Sequence, residues 1–179
     1  MEKITIGWQE YLSLPDLKIP SIAVKVDTGA KTSALHVQDL EPISHKNSQR
    51  GSHIDKVRFR VCLRQHDNPN GIPSQFQQFR PDSTSEFPAN DIIAISPVIE
   101  YPVVDYRSVT SSNGTPEDRY VIETVIMLGR HHWKTEITLA NRNSMGFGML
   151  LGRRAMESRV TVDPSKSYLC AQPSPLSVS

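Results

Sequence analysis

The sequence lacks the features that mark several large functional classes. No apolar run approaches the roughly 20 residues that a membrane-spanning helix needs, and residues 1–20 carry no leader-like apolar core. A cytoplasmic protein without membrane contact is the expectation. Cysteine is scarce: Cys62 and Cys170 lie far apart and outside any C-x-x-C pair, which gives no disulfide framework and suits a reducing compartment. Neither charge sign is in excess, because 20 Lys and Arg stand against 19 Asp and Glu for a net charge of +1. No global field then recruits nucleic acid, and no nucleic-acid partner is expected.

Metal and nucleotide signatures are missing as well. A hydrolytic zinc site needs about three protein ligands and an open position for water, yet no H-E-x-x-H occurs among the six histidines. His131 and His132 are adjacent, so on a strand they point to opposite faces and do not share one ion easily. His36 with a carboxylate is a weaker candidate than His36 as a satisfied polar residue. No Walker A lysine loop is present. Neither metal nor cofactor is expected.

What the sequence does have is short runs rich in Val, Ile, Thr and Tyr, separated by turn residues. Strands are expected at 3–7, 22–27, 33–37, 57–63, 91–95, 103–110, 119–128, 133–140 and 160–162, with one helix of barely two turns at 150–158. The pattern predicts an all-β domain over residues 1–170. Residues 64–90 concentrate Pro, Asn, Gln and Ser without apolar period and read as a mobile insertion outside the core. Residues 171–179 read as a disordered tail.

The stretch "AVKVDTGAKTSALH", residues 23–36, raises the functional question. Asp and Gly are ordinary turn residues, and Asp27-Thr28-Gly29 could simply end a strand. Alternatively, the apolar run "IAVKV" delivers Asp27 into a tight, buried loop, where a carboxylate is costly unless it has a task. Gly29 lets backbone come close to a ligand.

This strand-DTGA-strand pattern resembles the active-site loop of aspartic proteases. A second part of the resemblance is "MLLGRRAM", in which Leu150, Leu151 and Gly152 precede a short helix. Two motifs in that order are far more specific than one. The stretches at 6–36, 103–124, 136–156 and 162–169 are similar to a bacterial family of retropepsin-like proteins labelled ATP-dependent zinc proteases. That resemblance implies a retropepsin-like closed barrel with one short C-terminal helix; the residues of this chain support neither the zinc nor the ATP part of the label.

The resemblance implies hydrolysis of peptide bonds by a water held between two carboxylates, with Asp27, Thr28 and Gly29 as catalytic residues. The chain has one Asp-Thr-Gly, so the second Asp27 must come from a second copy, and a homodimer through this loop is expected. Ala30 and Lys31 would meet the substrate. The segment "RSVTSSNGTPEDRYVI", with Asn113-Gly114 at its turn, would form a covering hairpin with Arg107 and Arg119 on its arms. Arg153 and Arg154 would add positive charge beside the cleft. Because the resemblance extends to proteins linked with glutamate ligases, a glutamate-tailed protein is the implied substrate. Two other classes stay open: a silent retropepsin-like binding or assembly module, and a metalloenzyme.

Overall fold

The computed structural model describes residues 3–47, 51–64, 66–67, 71–78, 92–110, 114–141 and 146–170, leaving aside the side chains of 45–47 and 51–53. Asn113, Asp91, residues 79–90 and the tail 171–179 lie outside the described residues. In chain order the strands are β1 (Ile4–Ile6), β2 (Gln9–Leu14), β3 (Ile19–Val26), β4 (Ser33–Asn47), β5 (Gly51–Arg64), β6 (Gln77–Gln78) and β7 (Ile92–Ile95). They continue with β8 (Ile99–Pro102), β9 (Asp105–Thr110), β10 (Pro116–Leu128), β11 (His131–Ala140), β12 (Met149–Leu151) and β13 (Val160–Val162). The helix α1 is Arg153–Met156. The expected all-β class is what the chain adopts.

Strand pairings close on themselves. The order β11-β10-β2-β3-β12-β4 is completed by a parallel pairing of β11 with β4, giving a ring of six strands. Beyond the ring, β4 continues into a long antiparallel pair with β5, which carries β7 and β8. The ring is filled by Leu12, Leu14, Ile22, Leu35, Ile122, Ile126 and Ile137, all at 0% exposure. Each such side chain contributes roughly 1.5–3 kcal/mol by leaving water. β3 is buried on nearly every residue because β2 and β12 flank it; Lys25 is its one exposed side chain.

Several expectations are corrected. β2 forms where the sequence predicts no strand: Glu10 points inward at 0% exposure, where its carboxylate accepts from the N–H groups of Gly7 (2.8 Å), Leu169 (2.8 Å) and Cys170 (3.1 Å). A satisfied buried carboxylate hides the alternation that signals a strand. The helix is one turn, not two, since Leu150 and Leu151 pair with β3 and Gly152 has extended backbone. Nor is the 64–90 stretch wholly outside the core. Asp67 (0% exposed) accepts from Ala23 N–H and Arg64 N–H, and Phe76 joins the hydrophobic cluster.

Candidate active site

β3 ends at Val26, whose register partner on the parallel strand β12 is Leu151. Asp27 N–H then donates to Leu151 O at 3.0 Å, so the first loop residue is tied to the neighbouring strand. On the other side, Arg153 N–H donates to Ala30 O (2.9 Å) and Arg154 N–H to Lys31 O (3.1 Å). Gly152 N–H donates to Ser33 Oγ at 3.1 Å. The loop 27–32 is therefore gripped by the segment that sequence had singled out as its companion. Gly152 makes this possible, because a Cβ there would lie 2.5 Å from the carbonyl carbon of Thr32.

Within the loop, the Asp27 carboxylate is oriented by backbone alone. Gly29 N–H and Ala30 N–H both donate to Oδ1 at 3.0 Å. Among the described residues no hydrogen bond reaches Oδ2, which keeps its lone pairs for another partner. A Cβ on Gly29 would fall 3.2 Å from Oδ1, tighter than ordinary contact, so Gly29 admits the carboxylate to this position. The loop is less buried than the sequence suggests: Asp27 is half-buried, and Thr28 and Gly29 are exposed. β12 and α1 cover only its inner side.

Asp27 lines a cavity of about 590 Å³ that it shares with Gly29, Ala30 and Lys31 from the loop, Arg107 and Arg119 from the hairpin, and Leu150 and Arg154. The fold thus brings together most of the residues expected there from four separate segments. β9 and β10 form the hairpin, with Arg107 directly opposite Arg119. Gly114, near the turn, has φ +79° and does not line the cavity. Arg153 lies elsewhere, on a neighbouring cavity that also takes in Thr28, Lys31 and Arg154.

Two arginines facing one another need counter-charges. Arg119, 4% exposed, receives a two-pronged contact from its own strand: Nε and Nη2 donate to Glu117 Oε2 at 3.0 and 2.7 Å. Arg107 pairs with Asp105 (3.1 Å) and with Glu136, and Arg154 reaches the same Glu136 oxygen at 3.5 Å. Sequence reasoning missed Glu136; its place in the alternating "TEITLA" marks only a strand with one wet face. None of these three acids lines the cavity, whose charged lining is Asp27 with Lys31, Arg107, Arg119 and Arg154. Lys31 has no ion pair among the described residues.

The other buried polar groups lie apart from this cavity. His36 is buried, and burial together with the Arg64 charge lowers its pKa to about 4. Burial raises Asp67 to about 6. Among the described residues no three His, Cys, Asp or Glu side chains gather as a metal-binding set.

Comparison with known proteins fits this picture. The family model described as RimB-like, "Retropepsin-like aspartic endopeptidase RimB", matches residues 87–173, which include the hairpin and the Leu150–Gly152 crossing and begin beyond the Asp27 loop. A protein of Shewanella halifaxensis named "Probable alpha-L-glutamate ligase" is 36% identical over 170 residues, covering 95% of this chain and 30% of that protein. Proteins of the same name from Parasynechococcus marenigrum (36% identical; 93% of this chain, 29% of that protein) and Desulfotalea psychrophila (32%; 91% and 28%) match similarly. The chain therefore spans about 30% of the length of the curated relatives it matches. A crystal structure of a Legionella pneumophila protein of unknown function aligns with TM-score 0.59 at 22% identity, covering 94% of this chain and 98% of that one, and shares the fold. The chain has the retropepsin-like all-β fold, and its residues 87–173 match the RimB-like family of aspartic endopeptidases.

Proposed function

We propose that this chain is an aspartic endopeptidase whose active site is completed by a second copy, each copy supplying one Asp27. The observation that carries the reading is the double N–H grip on Asp27 Oδ1, which orients a half-buried carboxylate at the wall of a cavity covered by a hairpin. With two such loops face to face, a water sits between the carboxylates. Like charges so close cannot both ionise cheaply, so the pair holds one proton. The ionised Asp27 takes a proton from the water as its oxygen bonds to the peptide carbonyl carbon; the protonated Asp27 gives its proton to the carbonyl oxygen. Collapse of the tetrahedral diol breaks the C–N bond, with proton transfer to the leaving amine. In such a dimer Thr28, exposed in the single chain, would meet its counterpart across the two-fold axis.

The preferred substrate in this reading is a protein end rich in glutamate. Lys31, Arg107, Arg119 and Arg154 around the cavity support it, as do relatives named for glutamate ligation. We place the activity in the cytoplasm, which the two free cysteines support. The test compares the purified chain with Asp27→Asn on a glutamate-tailed peptide, with and without a statine-type transition-state mimic. Cleavage that the mimic blocks and the variant lacks is expected. Cleavage by Asp27→Asn at the wild-type rate would sink the mechanism, and tight peptide binding without any cleavage would favour the binding-module alternative.

A further inference from the structure

A second cavity, of about 690 Å³, adjoins that of Asp27 and shares Lys31 and Arg154 with it. Its charged lining is Lys3, Lys31, Arg153 and Arg154 against Glu157 alone. That is a surplus of three positive charges at one site, whereas the whole chain has a surplus of one. The cations are therefore gathered here and are not a uniform background. Lys3 arrives through topology: β1 pairs in parallel with β13, which sets Ile4 opposite Val160, a residue of the cavity wall. Arg153 is fixed at both ends. Its backbone N–H donates to Ala30 O at 2.9 Å, and its guanidinium Nη1 lies 3.3 Å from Thr28 O. Among the described residues no other nitrogen of this guanidinium makes a hydrogen bond, so most of its five donors stay open to a ligand. The wall also carries the hydroxyls of Thr28 and Ser158, neither of which is hydrogen-bonded among the described residues.

Going beyond the peptidase reading and not resting on it, we infer that this second cavity is a binding site for a chain of closely spaced oxyanions, a condensed phosphate or a run of glutamates. Arg153 offers a planar fork that matches phosphate and carboxylate oxygens, while Lys3 and Lys31 offer compact point charges. Cations held in one cavity repel one another, and a ligand with several negative charges relieves all of them together. The volume is that of a small-molecule pocket, with room for more than one oxyanion. Glu157 counts against the ligand: it lowers the positive potential of the cavity and repels any anion that enters. Lys3 and Arg153 line this cavity and not that of Asp27, so they tell the two sites apart.

The test titrates the full chain with tripolyphosphate and, separately, with a tetraglutamate peptide, and follows backbone amide signals by NMR. Signals of Arg153, Glu157 and Ser158 report this cavity, and those of Arg107 and Arg119 report the cavity of Asp27. With at least one of the two ligands the first set shifts and saturates. Its apparent Kd weakens roughly three- to tenfold in Lys3→Gln and in Arg153→Gln, and tightens about twofold in Glu157→Gln, as one charged contact is lost or one repulsion removed. Lys3 is exposed, so Lys3→Gln removes a charge without touching the core. Saturation by tripolyphosphate alone identifies the ligand as a phosphate compound, by tetraglutamate alone as an acidic protein end, and by both as any chain of oxyanions. No shift in the first set with either ligand, or a wild-type Kd in all three variants, would overturn the inference.

Discussion

Gly152 and Thr32 touch backbone to backbone: a Cβ on Gly152 would lie 2.5 Å from the Thr32 carbonyl carbon and 2.6 Å from its oxygen. No flexible side chain can yield there, because both obstructing atoms are main chain. Gly152→Ala must push the β12–α1 segment off the Asp27 loop, at a cost of about 2–3 kcal/mol. Chemical denaturation should show that loss. The same shift separates Asp27 N–H from Leu151 O, so peptide cleavage should fall by more than the unfolded fraction explains. A variant with wild-type stability and activity would mean that the two segments are not pressed together.

Buried His36 and Asp67 predict a compensated pH profile of stability. His36 has its folded value lowered to about 4, so its contribution is present above the unfolded value near 6.5 and is lost as pH falls through about 4. Asp67 has its value raised to about 6, so its contribution is present below about 3.8 and is lost as pH rises through about 6. Each is worth on the order of a few kcal/mol, with opposite slopes between about pH 4 and 6. Urea midpoints of the wild type should therefore change little over that window from these two groups.

Single substitutions should unmask each slope. In Asp67→Asn stability should climb with pH from about 4 to 6.5; in His36→Gln it should fall from about pH 4 to 6. Below about pH 4 Asp67→Asn should also be less stable by about 1–3 kcal/mol, because Ala23 N–H and Arg64 N–H each use one carboxylate oxygen and an amide offers only one, and the gap should close as pH rises. Parallel profiles for the wild type and both variants would contradict the assignment.

Lys31 differs from its cationic neighbours in lacking an ion pair among the described residues, whereas Arg107, Arg119 and Arg154 each lean on an acid. It should therefore discriminate substrates by charge most directly. For a glutamate-rich peptide, Lys31→Glu should raise KM several-fold, and the difference should shrink with salt as exposed charges are screened. For a neutral peptide KM should hardly change. Equal effects on both peptides would assign Lys31 to loop structure instead.

Much of the site could be read from sequence because its two halves are local motifs. Asp27-Thr28-Gly29-Ala30 follows a buried strand, and Leu150-Leu151-Gly152 runs alongside it, as β3 and β12 show. What escaped was polar structure that only tertiary contact makes affordable. Glu10 faces the core because three N–H groups from distant segments meet it. β4 runs to Asn47, well past the expected Val37, because β5 pairs with the polar stretch around a bulge where Asp39 takes φ +52°. Asp67 and Phe76 sit in a Pro- and Asn-rich stretch whose composition speaks for loop, yet the core takes them in. Glu136 gathers Arg107 and Arg154 only once β9, β11 and α1 have met.

The most direct test of the central claim mixes wild-type and Asp27→Asn chains and lets them exchange by refolding together. If each active site needs an Asp27 from both copies, activity follows the square of the wild-type fraction, and an equimolar mixture keeps about a quarter of the wild-type rate. Activity proportional to the wild-type fraction, about half in that mixture, would mean that one chain cuts alone, and the two-carboxylate account would be wrong.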